Sequence, residues 1–256
     1  ALLLPLPAVT SSDPIAPHPT LPSFYDDDAD RQRAVNDLFD KGSRDYDRVN
    51  GILSFGSGYW YRGEVLRGAG MKEGMRVLDV ATGTGPVAAM AREIVTKSGL
   101  VVGVDPSGGM LHVAKGKADA EFVQAVGEAL PIRDETFDML TMGYALRHVS
   151  DLRAAFREYR RVLRNGGQLV IMEITMPRSA IGRTLLGVYM GTIAPLIARL
   201  STRRRDTARM MRYYWETTES CVPPDVILGA LRGAGFDEVH RDVKWGILSE
   251  YRAIRR

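Results

Sequence analysis

The sequence predicts an α/β fold in which a mostly parallel sheet is covered by helices on both faces. Two observations predict it. From Met75 onward short apolar runs alternate with amphipathic helical runs. One of those apolar runs ends in a glycine-rich turn, Asp79 to Gly85, with Pro86 suited to the first position of a helix. A chain of 256 residues with an apolar share of 45% is long and apolar enough for one large domain with a lid.

The elements follow in order. Residues 1–30 read as a proline-rich and then acidic arm without a core of its own, since six of the thirteen prolines fall by Ser23 and acidic residues crowd Asp26 to Asp30. Such an arm is expected to be mobile or to wrap a neighbour, which would make a homo-oligomer. A helical cap over 31–70 carries Tyr46, Trp60 and Tyr61, with Gly51, Gly56 and Gly58 marking bends. The main domain, 71–256, has strands at Arg76 to Val80, Leu100 to Val104, Glu121 to Ala125, Phe137 to Met142 and Gln168 to Ile174. The helix Asp151 to Leu163 puts Leu152, Ala155, Phe156, Tyr159 and Val162 on one face, and Asn165, Gly166 and Gly167 turn the chain into the fifth strand. A helical lid is inserted at about 178–220. Its apolar part runs from Ile181 to Leu200, where the fifteen uncharged residues between Arg183 and Arg199 fall short of the roughly 20 that a span needs. A helix near Pro224 to Ala234 precedes two runs, Glu238 to Lys244 and Gly246 to Ile254, that could pair as an antiparallel hairpin at the sheet edge.

Composition sets limits on function. A net charge of +3, from 34 basic and 31 acidic residues, gives no reason to expect a nucleic-acid partner. The lone cysteine, Cys221, rules out an internal disulfide, a cysteine-rich zinc site or dithiol chemistry and fits a reducing cytoplasm. No metal site is expected. The apolar opening run lacks a basic start and is interrupted by Pro5 and Pro7, so a signal peptide is not expected.

The turn Asp79 to Gly85 lets a ligand approach the backbone, and Asp105, twenty residues beyond Gly85, falls at the end of the second strand, where a carboxylate can accept from both ribose hydroxyls. A nucleoside cofactor follows. Ala88 at the third position of the glycine pattern leaves a dinucleotide formally open, but Asp79 would set a negative charge where a pyrophosphate must sit. A carboxylate suits the amino group of a methionine moiety, which favours S-adenosyl-L-methionine.

From about Tyr46 to its end the chain resembles the ubiquinone/menaquinone-biosynthesis C-methyltransferase family, within the class I S-adenosylmethionine-dependent methyltransferases. The resemblance rests on Y-D-R-V-N-G-I-L-S-F-G at Tyr46 to Gly56, V-L-D-V-A-T-G-T-G at Val77 to Gly85 and E-A-L-P-I-R-D-E-T-F-D at Glu128 to Asp138. Further matches are A-L-R-H-V at Ala145 to Val149, R-V-L-R-N-G-G at Arg161 to Gly167 and R-Y-Y-W-E at Arg212 to Glu216. It implies a Rossmann-like sheet of seven strands with the last antiparallel. It also implies that Asp79, Gly83 and Gly85 hold the methionine end of the cofactor, Asp105 the ribose, and Met110 the adenine. Tyr46, Gly127 and Glu128 complete the cofactor site, although Val126 stands where the family has Asn or Asp to read the adenine amino group.

For the acceptor, Arg147 and His148 follow the fourth strand at its C-terminal end. The family has Arg-Asn there, so Arg147 matches and His148 departs. The resemblance places Arg147 over the acceptor, where it could stabilise a phenolate; a structural ion pair is the other reading. His148 is a candidate general base or a capping residue. Tyr144, Tyr213 and Tyr214 are candidates for the acceptor wall, each also at home in a core.

The leading expectation is C-methylation of a quinol, phenolic or related apolar small molecule, in quinone biosynthesis or secondary metabolism, with the lid around an apolar tail. A second reading moves the methyl to an isoprenyl diphosphate clamped by Arg203, Arg204 and Arg205. A third is a non-catalytic module that binds S-adenosylmethionine. The same arginine cluster can be a solvated run or a peripheral membrane contact.

Overall fold

The computed structural model describes residues 13–256 apart from Phe55 and Arg203. Expectations that concern residues 1–12, Phe55 or Arg203 lie outside the described residues.

The central strands are nearly continuous apolar runs because both of their faces are covered. β1 (Arg76–Val80), β2 (Leu100–Asp105), β3 (Glu121–Gln124), β4 (Phe137–Gly143) and β5 (Leu163–Ile174) run parallel, while β7 (Leu248–Ile254) is antiparallel to β5 and to β6 (Asp237–Lys244). The sheet has seven strands in the order β3-β2-β1-β4-β5-β7-β6. Chain direction therefore reverses its winding between β1 and β4, and the C-terminal ends of β1, β2 and β4 open onto one crevice. The expected turn at Asn165 to Gly167 is instead a bulge inside β5, whose pairing with β4 jumps from Phe137↔Leu163 to Met139↔Gln168 with Gly166 at φ 76°.

One face of the sheet packs against α5 (Leu152–Val162) and α9 (Pro224–Gly233), through Phe156, Tyr159, Ile227 and Leu231; the other takes α2 (Ser57–Gly68) and α3 (Pro86–Val95), through Leu66, Val87 and Met90. A third cluster lies beyond the strand ends, where α1 (Asp28–Leu53), α7 (Ala194–Thr202) and α8 (Arg205–Glu219) meet around Val35, Leu38, Met210 and Tyr213. α1 is tied down at its middle: the Asp40 carboxylate accepts from Ser107 Oγ (2.5 Å) and Gly109 N (2.8 Å) at the start of α4 (Gly108–Lys115), where a negative charge favours the helix dipole. Of the three glycines expected to bend this region, only Gly56 does so. It is left-handed (φ 75°) at the start of α2, while Gly51 and Gly58 lie inside helices.

Along its described part the arm packs on the body of the same chain. Residues 13–25 form a strap over the body, fastened by Leu152 N to Ile15 O (2.9 Å), Val222 N to Pro17 O (2.7 Å) and Ile15 N to the Asp151 carboxylate that also caps α5 (2.9 Å). His18, Leu21 and Tyr25 are buried. Proline stiffness lowers the entropy lost on docking, and these partners lie within the same chain, so this part of the arm is engaged without a neighbour.

The apolar part of the lid is one 23-residue helical run, Ala180–Thr202, built from α6 (Ala180–Val188), a widened π turn (Tyr189–Ile193) and α7, and the rest of the lid is α8. The π turn has a cause: Pro195 lacks an N–H and its ring crowds the carbonyl of Gly191 four residues earlier. By length and composition this helix suffices to cross a membrane, although the uncharged stretch alone does not; it packs on α8.

Candidate functional site

The crevice at the ends of β1, β2 and β4 is roofed by α1 and closed at one side by α8. Tyr46, Gly83, Asp105, Met110, Gly127, Glu128, Tyr144, His148 and Tyr214 line it together. Asp79, Gly85, Arg147 and Tyr213 are not on its wall.

Asp105 ends β2 with one carboxylate oxygen accepting from Gly83 N (2.8 Å) and the other from Ser107 N (2.9 Å). Burial raises its pKa to about 6, with those two N–H groups opposing the shift. The same side chain thus ties the glycine turn to β2 and faces the crevice. Asp79 lies beneath the turn, fully buried, where it accepts from Thr82 Oγ1 (2.6 Å) and Thr141 Oγ1 (2.9 Å). Burial pushes its carboxyl up to about 7 against both hydroxyls. Asp79 holds the turn in shape from below, and Thr84 is held from above by Asp47 of α1 (2.6 Å).

The glycines have different reasons. Gly83 and Gly85 take φ 58° and 81°, and a Cβ on Gly85 would also press on Ala114 of α4 at 3.1 Å. At Gly127 a Cβ would stand 2.7 Å from the Tyr159 hydroxyl, so glycine there lets the loop close over α5. Glu128 accepts from Ser150 N, which fixes this loop to the segment after His148.

Arg147 is 1% exposed and turns away from the crevice. Its guanidinium pairs with the buried Glu173, donates from Nε to Thr217 Oγ1 (3.1 Å) and lies over the Tyr214 ring, 4.8 Å from the centroid. The structural ion pair is therefore what the structure shows, and Arg147 backs the crevice through Tyr214, whose hydroxyl shares a hydrogen bond with Tyr46 (2.7 Å). Tyr213 backs the wall by stacking on His148, ring centroids 5.3 Å apart.

His148 sits in an aromatic box with Phe39 edge-on at 5.2 Å and Tyr214 edge-on at 5.5 Å. Neither ring nitrogen has a hydrogen-bond partner although both are buried. Burial, reinforced by Arg147, His18 and Arg31, drives its pKa well below the ordinary histidine value, so the ring is neutral. Behind it, Arg31 donates from Nη2 to His18 Nε2 (2.8 Å) and to Arg147 O (3.3 Å).

Of the roof, the sequence reading named Tyr46 alone. Gln32, Asn36 and Phe39 line the crevice from α1, and the signal was their spacing, i, i+4 and i+7 on one helical face. His18 and Arg31 carried no local signal, since only the docking of the strap and of α1 brings them to His148. The described lid helix contributes nothing to this wall: Leu185, Leu186 and Tyr189 line a separate groove with Trp245. Arg204 pairs with Asp45, and Arg205 lies at the surface, so neither reaches the crevice as a phosphate clamp. Among the described residues no cluster of metal-ligand type occurs, and burial raises the Cys221 thiol to about 12, far from a reactive thiolate.

The arrangement suits S-adenosylmethionine. A carboxylate ends the second strand beside a glycine turn, and an apolar slot of Pro106, Met110 and Val126 adjoins it. Solved structures share the fold. A SAM-dependent methyltransferase from Aquifex aeolicus matches with a TM-score of 0.56 at 21% identity over 76% of this chain and 89% of its own. Phosphoethanolamine N-methyltransferase 2 of Haemonchus contortus, in complex with S-adenosyl-L-methionine, matches with a TM-score of 0.56 at 16% identity over 77% of this chain and 53% of that one. In sequence, the ubiquinone/menaquinone biosynthesis C-methyltransferase UbiE of Xanthomonas campestris pv. campestris is 32% identical over 228 residues, 86% of this chain and 89% of the relative. The UbiE of Pseudomonas fluorescens is 31% identical over 236 residues, 89% and 91% of the two chains. The ubiE/COQ5 methyltransferase family matches residues 27–255, nearly the whole chain that the strap leads into. The chain belongs to that family and is an S-adenosylmethionine-dependent methyltransferase.

Proposed function

We propose that the enzyme methylates a ring carbon of a quinol or related phenolic, apolar small molecule, in quinone or secondary-metabolite biosynthesis. The observation that carries this reading is His148, a neutral imidazole with two buried, unpartnered nitrogens on a wall it shares with Phe39, Met142, Tyr144, Ala145, Val149 and Tyr214. A buried polar group without a partner costs about 1–3 kcal/mol, a cost that a ligand hydroxyl at that spot removes. The curated UbiE relatives are C-methyltransferases of ubiquinone and menaquinone biosynthesis, which supports the acceptor class.

Asp105 would hold the ribose, the turn around Gly83 the methionine end, and Met110 with Pro106 and Val126 the adenine. Once bound, S-adenosylmethionine supplies an electrophilic methyl group. His148 accepts a hydrogen bond from the acceptor's hydroxyl, which raises electron density at the adjoining ring carbon and makes that carbon the nucleophile. As this carbon takes the methyl group, the sulfonium's S–CH3 bond breaks, S-adenosylhomocysteine leaves, and the proton the ring carbon carried passes to water. Its depressed pKa makes it a hydrogen-bond acceptor in preference to a full proton carrier. Tyr214, held by Arg147 and Tyr46, fixes the aromatic wall so that the ring and the methyl group meet in line. The roof of α1 covers the crevice through Gln32, Asn36 and Phe39.

The test is methyl transfer from radiolabelled S-adenosylmethionine to a panel of prenylated and unprenylated quinols, a phenol lacking a free ortho carbon, and a prenyl diphosphate, with products mapped by mass spectrometry. Label on a ring carbon of the quinols is the expected result. Label on oxygen or nitrogen overturns the C-methylation, label on the diphosphate moves the activity to that class, and no transfer to the quinols overturns the acceptor class.

A further inference from the structure

The lid helix Ala180–Thr202 is turned the wrong way round for a helix of a water-soluble core. Its small residues face the protein: Gly187 and Gly191 press on Trp215, where a Cβ would come within 3.3 and 3.2 Å, and Ala194 and Ala198 are buried. Its large aliphatics face out. Ile181, Leu185 and Leu200 are 75%, 65% and 69% exposed, and Val188 and Leu196 continue the same stripe between them. A core helix buries its largest side chains; here the protein has closed on the small ones and left an apolar stripe the length of the helix, about 34 Å at 1.5 Å per residue. Across the groove that Leu185 lines stands Trp245, 69% exposed on the β6–β7 turn, with the amphipathic ring that favours a membrane interface.

Charge says what covers the stripe. From Pro177 to Arg205 the sequence has arginines and no acidic residue. At the far end of the stripe Arg199, Arg205, Arg209 and Arg212 line one surface hollow, with Asp206 as its single carboxylate. Two copies meeting through the stripe would press these cations together with too few carboxylates to offset them. An anionic lipid surface supplies the opposite charge and apolar depth together. We infer that the lid helix lies flat in the interface of an anionic bilayer, with the Ile181–Leu200 stripe in the acyl region and the arginine hollow on lipid headgroups. The inward face stays on α8, so the helix docks without spanning. This inference is independent of the acceptor proposed above.

The full chain is tested by co-sedimentation with vesicles of pure phosphatidylcholine and of phosphatidylcholine with roughly one-third phosphatidylglycerol, at low and high salt. The chain should pellet with the anionic vesicles and lose most of that binding at high salt. The double variant Leu185→Glu, Leu200→Glu should bind roughly tenfold less, with melting temperature and S-adenosylmethionine affinity kept, since both side chains are at the surface. The second variant, Arg199→Glu with Arg205→Glu, should lose the salt-sensitive part alone. Absence of pelleting by the wild type, or pelleting by both variants as strong as that of the wild type, overturns the inference. So does a wild-type dimer that the leucine variant turns to monomer without any vesicle binding, because the stripe then belongs to a second copy.

Discussion

The Asp105 carboxylate accepts from the backbone N–H of Gly83 at 2.8 Å, so the residue placed to read the cofactor also sets the shape of the turn that surrounds it. Asp105→Ala removes both contributions. The loss of charge-assisted hydrogen bonds predicts S-adenosylmethionine binding weaker by about 1.5–3 kcal/mol. Isothermal titration calorimetry measures it, and wild-type affinity in the variant removes Asp105 from the site.

The same carboxylate predicts a proton coupled to binding. With its pKa raised to about 6, Asp105 is partly protonated at pH 6 in the free enzyme. A cofactor carrying a sulfonium and an ammonium favours the ionised form, lowers that pKa and releases a proton. Titrations near pH 6 in buffers of different ionisation enthalpy should show net proton release, and affinity should rise from pH 5 to pH 7. Proton uptake on binding contradicts the assignment.

Asp79 gives a stability signature of its own. Its pKa is about 7 in the folded protein against about 4 unfolded, so the native state binds the extra proton between those values. Stability therefore falls as pH rises from about 4 to about 7, the opposite of a salt-bridged carboxylate. Asp79→Asn keeps partners for Thr82 and Thr141 and should flatten this fall, leaving the variant at least as stable as wild type at pH 8 by thermal melting. A wild-type melting temperature that does not decline relative to the variant over that window argues against a buried, protonatable Asp79.

The Arg147–Glu173 pair is buried on both sides, and burial raises the Glu173 carboxyl while Arg147 opposes it. Glu173→Gln leaves the guanidinium uncompensated and should cost about 3–5 kcal/mol by chemical denaturation. Because the guanidinium also carries the Tyr214 ring, acceptor KM should change in Arg147→Met with cofactor affinity intact. Equal losses in both affinities would mark the pair as holding the whole domain.

Much of the sheet was legible in sequence because a parallel strand buried on two faces leaves a contiguous apolar run, and β1 was read at its observed ends, Arg76–Val80. Asp105 was legible for a related reason, since a polar residue closing such a run must emerge at the strand end. Asp79 shows where this logic stops: the same pattern cannot say whether a carboxylate faces the ligand or is folded under the turn onto Thr82 and Thr141. Arg147 and Tyr213 were drawn off the wall by Glu173 and His148, partners 26 and 65 residues away. The strap's prolines resemble those of a linker, and contacts with Leu152, Val222 and Arg31, which no local pattern announces, turn it into structure. The direction of the lid helix was hidden too, since composition counts its leucines without saying which side they face.

His148 is the sharpest remaining test, because it replaces the Asn of the resembling family and its nitrogens have no partner in the protein. As a hydrogen-bond acceptor kept neutral by burial and by Arg147, His18 and Arg31, it should work throughout the neutral range and fail only when protonated, well below its ordinary pKa. The rate is therefore expected to be flat from pH 6.5 to pH 9 and to fall on the acid side. His148→Leu offers no acceptor and should lower kcat/KM by roughly 10²-fold, with S-adenosylmethionine affinity unchanged. His148→Asn can still accept through its amide oxygen and should stay within roughly tenfold of wild type while losing the acid limb. A limb near neutrality in the wild type that vanishes in His148→Asn, together with a loss of roughly 10²–10⁴, would make the imidazole a full general base. Equal rates in all three proteins would return the histidine to the aromatic wall and leave the acceptor's hydroxyl to bound water.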